Sequence, residues 1–165
     1  MKLIPAETAP WGKLDEWLAP DEWPDARIMK SARVTDSAWV ADSARVTDSA
    51  QVTDSAQVTG SAWVTGSAWV TGSAQVTGDA EIMKTDDYMV IQCVGSESAS
   101  LTLHRDKKIG VRLNRGCFSG SLDEFMSRLT DSPAHQFYRQ IVPLMEAELR
   151  RRMTPLVAAR DGERK

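Results

Sequence analysis

The sequence predicts a mainly β protein, built as a short solenoid with a small α+β module behind it. Three observations predict this. Residues 25–84 read as ten consecutive six-residue units, DARIMK SARVTD SAWVAD SARVTD SAQVTD SAQVTG SAWVTG SAWVTG SAQVTG DAEIMK, without an insertion. Every unit has alanine second (Ala26 and each sixth residue to Ala80) and valine or isoleucine fourth (Ile28 and each sixth residue to Ile82). Beyond residue 84 the repeat stops, and alternating segments are followed by helix-start signals.

Within a unit, Ala-x-Val-Thr alternates small or apolar residues with polar ones. That is period two, a short strand with Ala and Val on one side. The following Asp-Ser or Gly-Ser is a turn signal, and Asp and Gly tolerate the backbone angles that corners need. About four strand residues and two corner residues, repeated identically, do not make an ordinary sheet. They make a solenoid in which each strand pairs with its equivalent one coil away.

These ten units resemble the hexapeptide repeat of left-handed parallel β-helix proteins. The resemblance implies the left-handed sense and an 18-residue triangular coil, hence a short left-handed parallel β-helix of about three coils. On that coil one face displays Arg27, Arg45, Trp63 and Glu81, a second Arg33, Gln51 and Trp69, and the third Trp39, Gln57 and Gln75. So short a stack leaves two open ends of unpaired backbone, and caps or oligomerisation are expected. The first and last units end alike, in Ile28-Met29-Lys30 and Ile82-Met83-Lys84, which places Met29 and Met83 at the two ends of one face. Methionine is an adaptable apolar filler, so flanking segments or a second subunit should pack there.

Residues 1–24 form an N-terminal cap. Trp11, Trp17 and Trp23 stand among four prolines, and only Gly12–Leu18 is free enough of proline for a short helix. Residues 85–153 form the α+β module. Strands are expected at Tyr88–Cys93, Ser100–Arg105 and Ile109–Asn114. A capping box at Ser121–Glu124 opens a helix to about Leu129. Ser132-Pro133 starts a longer helix with an apolar stripe of Phe137, Ile141, Met145, Leu149 and Met153, kinked at Pro143. Residues 154–165 read as a frayed tail. The stretch Gly116–Phe125 (GCFSGSLDEF), with the strand pair before it and His135 and Tyr138 after it, looks like a ββ–helix module found behind hexapeptide repeats in uncharacterised bacterial and prophage proteins. The resemblance implies a phage or prophage origin and carries no established activity.

Bulk properties bound the rest. Residues 1–24 carry 5 acids and 2 bases, residues 25–84 carry 7 and 5, and residues 85–165 carry 11 and 13, for a net charge of -3. That balance does not favour a nucleic-acid partner. No apolar run reaches the ~18 residues of a membrane span, and the N-terminus lacks a signal-peptide core. The expectation is a protein of the bacterial host cytoplasm, with Cys93 and Cys117 reduced.

Acyl transfer is the familiar work of hexapeptide β-helices, and there a coil histidine serves as base. Residues 25–84 hold no histidine and no pocket-forming loop, so an enzyme is not expected. Cys117 and His135 are the available nucleophile and base. The plainer reading makes Cys117 a small buried thiol between a strand and a helix, and His135 a helix-start residue. Cys93, Cys117, His104 and His135 lack metal-site spacing, so no metal and no cofactor are expected. One Thr column per face is not the flat two-column lattice of an ice-binding solenoid. Arg27, Arg33 and Arg45 offset the Asp corners that could otherwise mimic nucleic acid.

What remains is a non-enzymatic binding or scaffold protein. It would form a homo-oligomer, dimer or trimer, and engage a host protein or complex, in one form as an inhibitor of a bacterial defence complex. The alternative is an acyltransferase relative or a small-ligand (nucleotide) sequestering protein. Candidate partner-binding residues are Trp39, Trp63, Trp69, Arg45, Met29 and Met83, since Trp is enriched at interface hot spots. Candidates in the C-terminal module are Cys117, Phe118, His135 and Tyr138.

Overall fold

The architecture is that of a computed structural model, which describes residues 3–5, 17–20, 26–29, 31–94 and 99–153. The hexapeptides form ten short strands: β3 (Arg27–Met29), β4 (Arg33–Val34), β5 (Trp39–Val40), β6 (Arg45–Val46), β7 (Gln51–Val52), β8 (Gln57–Val58), β9 (Trp63–Val64), β10 (Trp69–Val70), β11 (Gln75–Val76) and β12 (Glu81–Ile82). Each pairs in parallel with the strand 18 residues on. The first face is β3-β6-β9-β12, the second β4-β7-β10 and the third β5-β8-β11. This is a parallel β-solenoid of about three coils. Alanine and valine fill its interior, and Val46, Val52, Val58, Val64, Val70 and Val76 are all fully buried.

The corners explain the sixth residue of each unit. Asp36, Asp42, Asp48 and Asp54 have φ between 56° and 59°, and Gly60, Gly66, Gly72 and Gly78 between 65° and 72°. An L-residue tolerates this left-handed region best when its side chain is short and polar. Each Asp carboxylate also accepts the corner N–H one coil on: Gly60 N to Asp42 at 2.9 Å, Gly66 N to Asp48 at 3.1 Å and Gly72 N to Asp54 at 3.0 Å. A Cβ would be crowded at all four Gly corners, by backbone at Gly60 (2.9 Å from Gly78 N) and Gly66 and by the ends of flexible side chains at Gly72 and Gly78. A Cβ at Gly66 would stand 2.6 Å from the Met83 carbonyl oxygen and one at Gly78 2.5 Å from Arg112 Nε, while one at Gly72 would strike Gln92.

At the N-terminal end, β1 (Leu3–Pro5) pairs antiparallel with β2 (Trp17–Pro20), and β2 antiparallel with β3. These strands extend the first face, and Trp17 and Leu18 lie in β2 rather than in the short helix expected over Gly12–Leu18. Residues 12–16, like Trp11, Trp23 and the tail 154–165, lie outside the described residues.

At the other end a 3-10 turn (Thr85–Asp87) leads into a four-stranded antiparallel sheet, β13 (Tyr88–Val94), β14 (Ala99–Asp106), β15 (Gly110–Arg115) and β16 (Phe118–Gly120), followed by α1 (Leu122–Ser127) and α2 (Pro133–Met153). Ser121 caps α1 as its capping box predicts, its hydroxyl accepting from Glu124 N while the Glu124 carboxylate accepts from Ser121 N. α2 continues through Pro143. Its buried stripe is Tyr138, Val142, Met145 and Leu149. This corrects the expected stripe: Phe137 is largely exposed and Ile141 only partly buried. The α2 face is set by what β14 offers it, namely Leu101 and Leu103.

The opposite face of β14 closes the solenoid. The last coil has backbone N–H groups with no further coil to receive them, and side chains take the place of the missing carbonyls. Trp69 N donates to Thr85 Oγ1 at 3.1 Å, Thr71 N to Tyr88 Oη at 3.2 Å and Gln75 N to Thr102 Oγ1 at 3.0 Å. Thr77 N donates to His104 Nε2 and Asp79 N to Asp106 Oδ2, both at 3.3 Å. Ser73 and Ser100 join by their hydroxyls. The last coil's carbonyls are met too, that of Gln75 by Asn114 Nδ2 at 2.8 Å and that of Trp69 by Tyr88 Oη at 3.1 Å. The pairs made by β14 keep a constant separation of 27 residues, so β14 runs in parallel register with residues 73–79. It satisfies most of the open edge through every second side chain, and only at its end does backbone take part, where Asp106 bridges Ala80 and Lys107 N donates to the Asp79 carbonyl at 3.0 Å.

Candidate interaction surface

Trp39, Trp63 and Trp69 stand on three different faces, as the 18-residue coil predicts. Two of them are held in the same way. Trp63 Nε1 donates to Thr47 Oγ1 at 3.2 Å and Trp69 Nε1 to Thr53 Oγ1 at 3.0 Å, in each case 16 residues back on the neighbouring strand. The unit dictates this: an outward Trp at its third position reaches the outward Thr at the fifth position of the strand beside it. Tied at its nitrogen, each indole lies along its face.

Their surroundings differ. Over the Trp63 ring sits Lys107, its Nζ 5.0 Å from the centroid, and Glu81 on the adjoining strand holds that Lys107 at 3.1 Å and Arg105 at 3.6 Å. The third face carries Trp39, 40% exposed, and the second carries Trp69, 51% exposed. Arg45 is half-buried between Arg27 and Trp63 in register. Arg27 is only 9% exposed, so the top of the first face is covered. Met29 is half-buried and its Cα partner in β2 is Trp17. Met83 is exposed beneath the Gly66 corner.

The candidates of the C-terminal module separate. Tyr138 is buried, its ring edge-on to Phe125 at 5.6 Å and its hydroxyl accepting from Arg115 Nε at 2.6 Å. Phe118 packs 5.3 Å from Phe125, and Arg128 covers its ring at 4.8 Å. Both belong to the module core. Cys117 is an exposed free thiol, which corrects its expected burial. The physical reason is β16: a tight turn at Gly116-Cys117, with Gly116 at φ 56°, joins β15 to β16 and puts the cysteine at its tip. Cys93 lies in β13, and its side chain is outside the described residues. His135 stands in the first turn of α2, where Nδ1 accepts from Thr130 N at 2.8 Å. That bond occupies the nitrogen a base would use, and among the described residues no hydrogen bond joins His135 to Cys117. Among the described residues no group of three or more His, Cys, Asp or Glu could hold a metal ion, and no helix is long and apolar enough to cross a membrane.

His104 is a histidine that the sequence did not single out as functional. His104 is fully buried on the solenoid side of β14. Its Nδ1 lies 3.0 Å from the Arg105 carbonyl oxygen, which can only accept, so Nδ1 carries the proton. Nε2 is then the acceptor for Thr77 N and for Asn114 Nδ2 at 2.9 Å. Burial lowers its pKa to about 4 and the ring is neutral. Beside it burial raises the Asp106 carboxyl, but Arg112 at 2.7 Å and the Lys108 and Ile109 N–H groups outweigh that and leave it below the ordinary value. This cluster closes the solenoid end and has no open side for a substrate.

No protein-family model, curated protein or solved structure matches the chain significantly.

Proposed function

We propose that this chain is a non-enzymatic binding protein whose β-solenoid is a rigid scaffold presenting tryptophans to a partner protein. The observation that carries this reading is the pair of large exposed indoles, Trp39 at 40% and Trp69 at 51%, on two otherwise polar faces. Indole is costly to leave in water, and Trp is concentrated at interface hot spots. In contrast, both histidines are engaged, His104 alongside Asp106 in the coil cap and His135 with Thr130. On the hexapeptide-repeat resemblance we take the coil to be left-handed. On the resemblance of the C-terminal module, the partner is a host protein complex and the chain a prophage-encoded inhibitor of it, acting as a homo-oligomer.

Affinity capture from a bacterial host lysate tests this, with the native mass of the bait measured alongside. A partner should be retained by the Cys117→Ser variant and weakened roughly thirtyfold or more by Trp39→Ala or Trp69→Ala, the usual scale of a hot spot. Recovery of the bait alone, or a partner indifferent to both tryptophans, would sink the reading. So would an acyl-transfer or hydrolytic activity abolished by Cys117→Ala.

A further inference from the structure

The two tied indoles form an internal comparison. Trp63 and Trp69 share the same anchor, a threonine hydroxyl 16 residues back, so each offers one ring face to the outside. On Trp63 that face is occupied by the chain itself: Lys107 lies over it, and Glu81 binds the same ammonium. Trp69 is 51% exposed, and among the described residues no cation lies over its ring. A cation above an indole face is attracted by the ring quadrupole, and a nearby carboxylate strengthens the site. Carboxylates frame the second face as well. Asp48 stands at the corner on one side of it, Asp36 and Asp54 at the corner on the other. Hydrogen bonds from the Thr65 and Thr71 hydroxyls, then from Gly66 and Gly72 N, hold the Asp48 and Asp54 carboxyls below the ordinary range, so both are ionised at neutral pH. Asp86 is exposed one residue after Thr85, the acceptor of Trp69 N, and the exposed Lys84 on the other side of Thr85 turns its ammonium to the Arg152 carbonyl at 3.4 Å. The one cation among the outward strand residues of this face is Arg33. It stands two strands from Trp69, about 10 Å away at the usual strand spacing.

We propose that the Trp69 indole is a docking plate for a lysine or arginine side chain carried by a basic segment of a partner protein. The proposal rests on the binding-protein reading above and narrows it: the partner meets the second face with positive charge, and its side chain takes on Trp69 the place that Lys107 takes on Trp63.

The test uses the full chain and a defined probe, acetylated and amidated tri-lysine, with tri-glutamate as control. The indole N–H resonances are followed in 15N-labelled protein, those of Trp63 and Trp69 identified by their loss in Trp63→Leu and Trp69→Leu. Tri-lysine should shift the Trp69 resonance and leave Trp63 unmoved. Its affinity should fall roughly tenfold in Trp69→Leu, the scale of a partly desolvated cation–π contact, and weaken as salt is raised. In Lys107→Ala the Trp63 plate is uncovered, and its resonance should begin to respond. Three results would overturn the proposal: tri-lysine binding that Trp69→Leu leaves unchanged, no response from Trp69 together with none from Trp63 in Lys107→Ala, or self-association of the wild-type chain that Trp69→Leu abolishes. If the lysate partner is lost with Trp69→Ala while tri-lysine has no effect, the binding reading stands and the cationic partner falls.

Discussion

At the scale of single residues, the corners carry the sharpest constraint. Gly66 and Gly116 share a left-handed backbone, with φ 65° and 56°, yet differ in surroundings. A Cβ at Gly116 meets nothing within 4 Å, whereas at Gly66 it meets the Met83 carbonyl oxygen at 2.6 Å. Gly116→Ala should therefore cost only the left-handed penalty, about 1 kcal/mol. Gly66→Ala adds a clash with backbone that cannot swing aside, for a total of about 2–4 kcal/mol. Denaturant unfolding of the two variants measures the difference, and equal losses would mean that the contact at Gly66 relaxes freely. The Asp corners were legible as corners from the hexapeptide alone. The crowding at the Gly corners was not, because Met83, Gln92 and Arg112 reach three of them only after the chain has turned back on itself.

At the scale of elements, β14 holds two interfaces at once. Leu101 and Leu103 join α2, while Thr102, His104 and Asp106 close the last coil. A neutral His104 is required, because a protonated Nε2 cannot accept from Thr77 N. The folded pKa, about 4, lies below the value of 6.5 expected of the unfolded chain. The unfolded state therefore binds more protons between these values, and stability is full above pH 6.5 and declines as pH falls toward 4. The loss at pH 5 is about 2 kcal/mol. Unfolding midpoints at pH 7.5 and pH 5 measure it, and His104→Gln, whose amide oxygen can still accept, should remove most of the slope. A slope that survives the substitution would assign it to other groups. In the sequence, the alternation of SLTLHR identified the strand. It did not reveal that both sides were buried, because the polar side's partners lie 27 residues earlier in another architecture. The strands β1, β2 and β16 escaped for a simpler reason: three or four residues are too few to establish a period. The α2 stripe was misjudged by one position at its start, since Phe137 and Tyr138 fit the helical spacing almost equally and only packing on β14 separates them.

At the scale of the whole molecule, the solenoid was the legible part, because ten repeats of one pattern leave a single way to bury ten valines or isoleucines together. The surface was legible only as columns. Which tryptophans are covered depends on the flanking segments: Lys107 reaches back to Trp63, and nothing in its own sequence neighbourhood announces that.

The corner-to-corner identity of the units has a further consequence. The sequence repeats every six residues, but the chain returns to the same face only every 18. The solenoid is therefore a screw with three angular settings. Adding one hexapeptide after Gly60 re-pairs the strands on either side with equivalent partners of the same repeat, yet turns Trp39 a third of a revolution relative to the C-terminal module and brings it onto the face that carries Trp69. Adding three restores the original angle and lengthens the stack by about 4.8 Å. Both insertions should fold with near-native unfolding midpoints. A partner that contacts Trp39 and Trp69 together, captured by each variant in turn, should be lost with one added unit and recovered with three; equal capture by both would show that it contacts only one of them. Length and orientation are thus coupled in this chain, and the gain or loss of a single unit would re-aim its surface without disturbing its core.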